Sequence, residues 1–370
     1  MTDRDSDWID TVRLCLVNGV GPRIRRRLLD RFGTPTAVFA AAPSELRDVE
    51  GVGAKLMERI VRAADEIDVE EEIALCERHA ISILTEFDAN YPRCLGEIPD
   101  PPGLLFVRGT LTPADALGIG IVGTRHATAY GLRQAQRLAA SLARAGLAII
   151  SGLARGIDAA AHRGALEAGG RTLGILASGV MNIYPPEHNE LAVLVAANGA
   201  LISEQPPRSA PLSGTFPQRN RIISGMSLGV IVIEAAERSG ALITARHAME
   251  QGRDVFAVPG NVDSRASRGC HRLLRDGATL VESADDVLEQ LGPLVEAAAS
   301  EDGREIHHPA ELLLNDMEQK VLDGIRGEAT TIDELVILSG LPVPQVLATL
   351  SVLEMRHLIR RLSGTTVIRL

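Results

Sequence analysis

The stretch FPQRNRIISGMSLGVIVIEAAERSGALITARHAMEQG, at residues 216–252, has the pattern of a helix, a strand and a second helix. The strand at 229–234 is apolar on both of its faces, which is typical of a buried parallel strand. Polar residues concentrate at the ends of these elements, where a parallel α/β sheet places its ligand. Ser239 and Gly240 begin the second helix, and the free N–H groups at a helix start attract anions. The stretch therefore predicts a buried parallel strand with a phosphate-binding edge.

The residues on either side of this stretch repeat the alternation of strand and helix. Predicted strands lie at 117–122, 147–150, 172–176, 201–203, 255–258 and 278–281. Thr128 is the predicted N-cap of the helix that follows the first of these strands, and Asp158 is the predicted N-cap after the second. Strands that alternate with helices indicate the α/β class, with a doubly wound and mostly parallel sheet. We expect this core to extend over residues 79–292.

Residues 1–78, which precede the core, are predicted to be helical. They contain an internal repeat, because Gly-Val-Gly occurs at 19–21 and again at 51–53, 32 residues later, each time between apolar-periodic helices. Two helices joined by such a turn form a helix-hairpin-helix, whose second helix can meet a phosphate with its free N–H groups. DNA binding is one interpretation of this repeat, and a SAM-like packing module is the other. The basic residues that follow the two turns are Arg23, Arg25, Arg26, Arg27 and Lys55.

The C-terminal part of the chain has a different pattern. Residues 293–310 include a stretch rich in Ala, Glu and Gly without a clear period, which indicates a linker. Residues 311–370 have the pattern of a winged helix, with a capping box that begins at Thr331 and a third helix at 343–355. A winged helix that reads DNA carries basic or amide side chains on this third helix. Here the third helix has one Gln and no basic residue, which favours a protein-contact or structural role.

The composition excludes several classes of protein. The chain of 370 residues has no run of about eighteen uncharged apolar residues and no apolar signal core at its N-terminus, so we expect a cytoplasmic protein without a membrane span. Its four cysteines are far apart, which argues against zinc and disulfides. The net charge is −10, yet residues 119–280 contain 17 Arg against 11 Asp and Glu, a balance of +6. Because arginine suits planar partners such as phosphate, this balance favours an anionic ligand.

The candidate site follows from the ends of the predicted strands. Small or charged residues end four of them, at 123–125, 151–152, 178–179 and Glu234. The carboxyl ends of parallel strands share one edge, so together with the helix start at Ser239 we expect a single crevice in which Arg125 contacts a phosphate. The chain lacks the phosphate loop of ATPases and the glycine fingerprint of dinucleotide enzymes. Its histidines are dispersed, and we predict packing or surface roles for most of them.

Two arginines in the helix after Pro217 cannot hold the same phosphate. At about 100° per residue, Arg219 lies within the apolar face of this helix and Arg221 points nearly opposite. One of the two therefore braces the helix, and the sequence leaves open which one. Phe216, at the start of the helix, either stacks on a base or packs as a hydrophobic staple.

Four segments resemble the signature of the DNA-processing protein A (DprA/Smf) family. They are GIVGTRHATAYG at 120–131, ISGLARGIDAAAHRGAL at 150–166, the run at 216–260 and GCHRLLRDGATLVES at 269–283. The resemblance covers the whole chain and implies an extended Rossmann-like core between the helical module and the winged helix. It also implies a homodimer through this core that binds single-stranded DNA and loads the RecA recombinase on incoming DNA during natural transformation. No metal, nucleotide or other cofactor is implied.

The resemblance transfers a set of DNA-binding residues to the matching positions, with Arg125 as the main phosphate ligand. Several members of the family carry a lysine just before the Phe of the Phe-Pro-x-Arg-Asn-Arg motif, whereas this chain has SGT at 213–215. That contact is either absent or supplied by another arginine, such as Arg155 or Arg208. With the helix start included, the candidate site residues are Gly123, Thr124, Arg125, Ser151, Gly152, Arg155, Gly156, Phe216, Arg219, Asn220, Arg221, Ser239, Gly240 and Thr244.

A nucleotide-processing hydrolase is the alternative to a DNA-binding protein. Rossmann-like relatives that cleave nucleoside monophosphates have a Gly-Gly-x-Gly-Thr turn that is followed closely by a glutamate. The corresponding turn here, at 237–244, is followed by Arg246, so the carboxylate that protonates a leaving base is missing. We therefore expect a non-catalytic recombination mediator that protects single-stranded DNA.

Overall fold

An N-terminal helical module, a central α/β core and a C-terminal winged helix make up the protein. The computed structural model describes residues 6–294, 298–300, 303–325, 329–363 and 365–370. The helices of the N-terminal module are α1 (Ser6–Leu16), α2 (Pro22–Phe32), α3 (Pro35–Ala40), α4 (Pro43–Arg47), α5 (Ala54–Glu66) and α6 (Val69–Arg78). Helices α2 and α5 begin directly after Gly21 and Gly53, so the predicted helix-hairpin-helix repeat is confirmed.

The two hairpins of this module hold each other through reciprocal hydrogen bonds. Arg27 in α2 donates to the carbonyl oxygen of Glu50 in the second hairpin at 2.9 Å. Arg59 in α5 donates to the carbonyl oxygen of Asn18 in the first hairpin at 3.0 Å. The two donors are 32 residues apart, as the two turns are, so the sequence repeat is also a repeat of contacts.

Arg25 joins the helical module to the core. Its two terminal nitrogens donate to the two carboxylate oxygens of Glu86 at 2.6 Å each, and its side chain is buried. A Cβ atom on Gly103 would lie 2.3 Å from Arg25 Nε, so only glycine leaves room for the guanidinium. Arg26 donates to the carbonyl oxygen of Pro99 at 3.3 Å. Arg25 and Arg26 therefore hold the module against the core, although the sequence left them as possible phosphate ligands.

The core contains a nine-stranded, mostly parallel sheet. Its strands are β1 (Ile81–Thr85), β2 (Leu104–Gly109), β3 (Gly118–Gly123), β4 (Ala148–Ser151), β5 (Thr172–Ile175), β6 (Gly199–Ser203), β7 (Gly229–Ile233), β8 (Asp254–Ala257) and β9 (Thr279–Leu280). Their order is β1-β2-β6-β5-β4-β3-β7-β8-β9, in which β1 and β2 form an antiparallel edge and the others are parallel. The chain winds from β3 to β6 on one side and returns to place β7 on the other side of β3. This is the predicted doubly wound, Rossmann-like α/β fold.

Helices cover both faces of the sheet. They are α7 (Arg93–Gly96), α8 (Ala129–Arg144), α9 (Ile157–Glu167), α10 (Asn189–Ala197), α11 (Thr215–Gly225), α12 (Ala241–Glu250), α13 (Arg268–Arg275) and α14 (Ala284–Gln290). Along β7, Val230 and Val232 pack in one hydrophobic cluster with α11, α12 and α13. Ile231 and Ile233 pack in a second cluster with α8, α9 and α14. Both faces of β7 are thus buried, which explains its continuous apolar run.

Two short strands, β10 (Ala298–Ala299) and β11 (Glu305–Ile306), precede the C-terminal domain. The elements that form the predicted winged helix are α15 (Asp316–Asp323), β12 (Thr330–Thr331), α16 (Ile332–Ser339), α17 (Val343–Met355), β13 (Ile359–Ser363) and β14 (Thr366–Arg369). The short strands β10 and β11 pair with each other inside the segment that was predicted to be a linker. The hydroxyl of Thr331 accepts the N–H of Glu334, which confirms the predicted capping box.

Helix α17 presents mainly apolar and small residues to solvent, with Gln345 as its one amide; the exposed residues are Val343, Pro344, Gln345, Leu347, Ala348, Ser351 and Met355. In a DNA-reading winged helix this face would be polar or basic. The protein-contact or structural role of the domain stays a prediction.

No single helix among the described residues is long and apolar enough to cross a membrane. Helices α16 and α17 have the length and composition of a membrane span only when they are counted together, and the chain bends sharply between them.

Candidate nucleic-acid interface

A small pocket with three arginines in its wall lies beside the carboxyl ends of β4 and β5, against the start of helix α11. Its free volume is about 10 Å³, room for no more than a water molecule. The predicted site residues that the structure brings together here are Arg125, Gly152, Arg155, Phe216 and Arg219. The sequence did not single out three of its other wall residues, which are Ala177, Tyr184 and Pro185.

Arg219 contributes a buried positive charge to this pocket. Its side chain is 6% exposed, and Nη1 donates to the carbonyl oxygen of Ile175 at 2.8 Å. Its Nε has no hydrogen-bond partner, and within the described part of the chain no carboxylate forms an ion pair with it. Burial and the nearby positive charge of Arg125 lower the pKa of Arg219 to about 10, although the attraction of Asp158 opposes this shift. A guanidinium that is desolvated without an ion-pair partner favours the arrival of an anion.

Glycine at position 152 lets Arg219 reach the pocket. A Cβ atom on Gly152 would lie 1.6 Å from Arg219 Nη1, so any side chain there would displace the guanidinium. The carboxylate of Asp158 accepts the N–H groups of Gly152 and Ala154 at 3.1 and 3.3 Å. The prediction that Asp158 is a helix N-cap is wrong, because α9 begins at Ile157 and Asp158 instead fixes the loop before it.

Arg125 and two aromatic rings form the rim of the pocket. The guanidinium of Arg125 lies 4.9 Å from the centroid of the Phe216 ring, in cation–π geometry. The rings of Phe216 and Tyr184 meet edge to face, with centroids 5.8 Å apart. Because α11 begins at Thr215, Phe216 lies inside the first turn rather than before the cap, where a hydrophobic staple would lie. The geometry thus favours the stacking interpretation of Phe216.

Arg221 is neutralised inside the protein. Its Nη2 donates to both carboxylate oxygens of Glu204 at 2.8 and 2.9 Å, and its Nε lies 3.4 Å from Asp100 Oδ2. Its side chain is only 4% exposed. The two arginines of α11 therefore point apart, as predicted, and Arg219 is the one that faces the pocket.

Several predicted site residues shape the backbone around the pocket instead of lining it. Ser151 donates its hydroxyl to the carbonyl oxygen of Ile121 at 2.6 Å and is fully buried. A Cβ atom on Gly156, where φ is +74°, would lie 2.3 Å from the carbonyl oxygen of Thr124. Gly123 similarly allows the close approach of Ile233. Ser151 and Gly156 therefore hold β4 and its loop against β3 and its loop, and Gly123 allows the end of β3 to approach β7.

The helix start at α12 does not line the pocket. Gly240 accepts a hydrogen bond from the amide of Asn220 at 3.2 Å, and Ser239 caps the N–H of Ala241 at 3.3 Å. Thr244 is buried in the packing of α12. Glu234 lies in a separate cleft with Thr128. The strand ends that were expected to share one crevice therefore serve two different sites.

Arg155 lies at the edge of the pocket and forms an ion pair with Glu187 in which both side chains are about half exposed. It is available to a ligand at little energetic cost, because solvent screens the attraction between two exposed charges. Arg208, the other arginine considered in place of the missing lysine, is not among the residues that line the pocket. The described residues contain no group of three or more His, Cys, Asp or Glu side chains that could hold a metal ion.

His162 is fully buried on α9 as a neutral imidazole. Its Nδ1 lies 2.7 Å from Thr172 Oγ1, whose own proton is donated to the carbonyl oxygen of Ile149. Nδ1 must therefore carry the hydrogen, while Nε2 has no partner among the described residues. Burial and the charge of Arg219 lower the pKa of His162 from 6.5 to about 3. This agrees with the predicted packing role.

We expect the buried imidazole to make stability fall as the pH falls below about 6.5. Between about 6.5 and about 3, His162 of the unfolded chain binds a proton that the folded chain does not, so folding loses about 1.4 kcal/mol per pH unit. Urea unfolding at pH 6.0 and 5.0 checks this against His162→Gln, which cannot titrate. Between pH 6.0 and pH 5.0, the free energy of unfolding should fall by about 1 kcal/mol more in the wild-type protein than in His162→Gln. Equal drops in the two proteins would contradict the expectation.

Family models match the chain along its three parts. Residues 12–66 match a SAM-like helix-hairpin-helix tandem. Residues 82–292 match DNA recombination-mediator protein A, and residues 306–365 match the DprA winged helix domain. The three matches follow the helical module, the α/β core and the winged helix described above.

Individual relatives match over most of their length. Protein Smf from Synechocystis is 35% identical over 94% of this chain and 95% of its own. DprA from Bacillus subtilis is 44% identical over 59% of this chain and 74% of its own. Among solved structures, DprA from Streptococcus pneumoniae has a TM-score of 0.67 at 34% identity, covering 77% of this chain and 98% of its own. DprA from Helicobacter pylori, whose structure addresses its single-stranded DNA binding mode, has a TM-score of 0.51 at 30% identity, covering 56% and 93%. The chain thus belongs to the DNA recombination-mediator protein A (DprA/Smf) family.

Proposed function

We propose that this protein is a cytoplasmic, non-catalytic recombination mediator that binds single-stranded DNA in the pocket between Arg125 and Arg219. The observation that carries the proposal is the charge of Arg219, which is buried without a carboxylate partner in the described residues. Two oxygens of one phosphate would accept hydrogen bonds from the guanidinium and offset the cost of its desolvation. The relative from Helicobacter pylori, which binds single-stranded DNA, supports the choice of ligand.

Binding requires the rim of the pocket to open. The pocket has room for no more than a water molecule, and Arg125 lies against the Phe216 ring. A phosphate that draws Arg125 toward itself uncovers this ring for a base. Stacking of one base on an aromatic side chain contributes about 1–3 kcal/mol and tolerates any base. A flexible single strand can place a phosphate and an unpaired base at the same rim, whereas a duplex keeps its bases stacked inside.

The protein is further proposed to protect incoming DNA, to load RecA on it during natural transformation and to act as a homodimer through the core. Two exposed apolar side chains support such an interface, because Leu280 in the edge strand β9 is 47% exposed and Val262 in the loop after β8 is 78% exposed. Light scattering measures the oligomeric state. RecA filament assembly on single-stranded DNA, with and without the protein, measures the loading.

A salt series tests the DNA-binding proposal. Fluorescence anisotropy should show tighter binding of a single-stranded oligonucleotide than of the matching duplex. The affinity should fall as salt rises, with a log–log slope of about −0.7 per neutralised phosphate. Equal affinities for the single strand and the duplex would overturn the proposal, and so would release of free base from nucleotides during the assay.

Arg125→Ala should weaken binding to all single-stranded sequences alike. The lost contact is to a phosphate, which carries no sequence information, so the salt slope should also flatten by less than about one unit. The matched control is Arg272→Ala, an exposed arginine on α13 outside the pocket. Unchanged affinity in Arg125→Ala would remove this residue from the site.

A further inference from the structure

A second cleft, of about 570 Å³, lies where the strand order of the sheet reverses. It adjoins the carboxyl ends of β3, β7 and β8, since its wall includes Glu234 after β7, Thr128 and Tyr130 after β3, and the loop after β8. Open α/β sheets bind ligands at this reversal point, and small-molecule pockets commonly enclose about 300–1,000 Å³. The cleft thus has the place and the size of a ligand site, and the DNA-binding pocket does not use it.

Glu234 occupies the position that a phosphate takes in dinucleotide-binding proteins of this fold. That position is the start of the helix after the first parallel strand, which here is α8. The carboxylate of Glu234, 5% exposed, accepts the N–H of Thr128 at 2.8 Å and also the Thr128 hydroxyl. A Cβ atom on Gly131 would lie 2.3 Å from Glu234 Oε2, so glycine makes room for this carboxylate. A phosphate arriving at the same place would meet a fixed like charge.

The other groups of the cleft suit a neutral, hydroxyl-bearing molecule. Each Glu234 oxygen accepts one hydrogen bond from Thr128 and keeps a free lone pair. Ser264 and Ser267 also line the cleft, where Ser264 is half-buried and Ser267 is buried. The wall formed by the described residues contains no lysine or arginine. The cleft therefore offers acceptors and hydroxyls but no counter-charge for a phosphate.

We propose that this cleft is a second ligand site for a neutral molecule of nucleoside size, whose ribose-type hydroxyls donate to Glu234, and that Glu234 bars the phosphorylated form. The proposal is independent of DNA binding at Arg219. Under this proposal the two sites on one sheet edge bind different kinds of ligand. The Arg125–Arg219 pocket binds an anion, and the cleft at the reversal point binds a neutral molecule with hydroxyl groups.

Adenosine and AMP form the matched probe pair, because they differ only in the phosphate. All samples carry Arg219→Met, so that the first pocket loses the buried charge that would attract the phosphate of AMP, and binding is measured by equilibrium dialysis of the full chain. We expect adenosine to bind at least tenfold more tightly than AMP. In Glu234→Ala this preference should reverse, because the hydroxyl acceptor is lost and the start of α8 becomes free for a phosphate. Glu250→Ala, which removes an exposed carboxylate from α12, should keep the original preference.

A second variant keeps the test decisive if Glu234→Ala does not fold. The double variant Ser264→Ala, Ser267→Ala changes only the opposite wall and should weaken adenosine binding at least threefold without strengthening AMP binding. Circular dichroism verifies the fold of each variant. Adenosine that fails to bind at millimolar concentration, AMP that binds as tightly as adenosine, or adenosine binding that is indifferent to both variants overturns the proposal.

Discussion

An Arg219→Met variant should bind a single-stranded oligonucleotide about 10- to 100-fold more weakly than the wild-type protein. A hydrogen bond to a charged group contributes about 1.5–3 kcal/mol, and about 1.4 kcal/mol corresponds to a factor of ten in affinity. Arg219 is buried at the base of the pocket, so bulk water screens its attraction for a phosphate far less than it screens an exposed arginine. Fluorescence anisotropy with a labelled oligonucleotide measures the loss.

The same substitution should cost little stability. Arg219 is desolvated without an ion-pair partner in the described part of the chain, and replacing its buried charge by an apolar side chain removes the desolvation penalty. The loss of the bond to the Ile175 carbonyl, and of the attraction between Arg219 and the carboxylate of Asp158, opposes this gain. We therefore expect the free energy of unfolding to change by no more than about 1 kcal/mol in urea. Full affinity in a folded Arg219→Met protein would show that the phosphate lies elsewhere.

The fold was predictable because its signals are local. The apolar run of β7 and the glycine turns of the helical module each fall within a few residues, and each indicates an element by its period or its end signal. The alternation of such elements then determines the fold class. The capping box at Thr331 is local in the same sense, and it is present in the structure.

The site was predictable only in part, because it depends on contacts between distant residues. Periodicity placed Arg219 and Arg221 on opposite sides of α11 but could not show what each one meets. Arg219 passes over Gly152, which is 67 residues away in the sequence, and Arg221 meets Glu204 from a loop of another strand. The role of Asp158 was wrong for a related reason. An acidic residue near a helix start is most often a cap, whereas here its carboxylate binds the loop that precedes the helix.

Glu234 shows why strand ends on one edge do not make one site. The sequence places this residue at the carboxyl end of a parallel strand, as it does for Gly123 and Ser151. In the structure its φ is +49° and its carboxylate is directed to Thr128 at the start of α8. A negative charge at the reversal point and positive charges at the ends of β4 and β5 divide the edge into two sites. The pattern of residue types alone does not contain this division.

An Arg221→Met variant should lose stability rather than affinity. Removing one member of a buried ion pair leaves the other charge without a partner, at a cost of about 3–5 kcal/mol for a fully buried pair. Glu204 is 19% exposed and Asp100 is 26% exposed, so water compensates part of this loss and we expect about 2–4 kcal/mol. The midpoint of urea unfolding measures it.

Arg219→Met and Arg221→Met are matched to each other, since they make the same change two positions apart in one helix at similar burial. At a temperature where both variants are folded, Arg221→Met should retain the oligonucleotide affinity within about threefold, because its guanidinium is already neutralised by two carboxylates. A double variant Arg221→Met, Glu204→Gln should recover part of the lost stability, since it also removes the stranded charge. If Arg221→Met instead weakens DNA binding as much as Arg219→Met does, the assignment of Arg219 to DNA binding and of Arg221 to stability is wrong, and both arginines bind the phosphate.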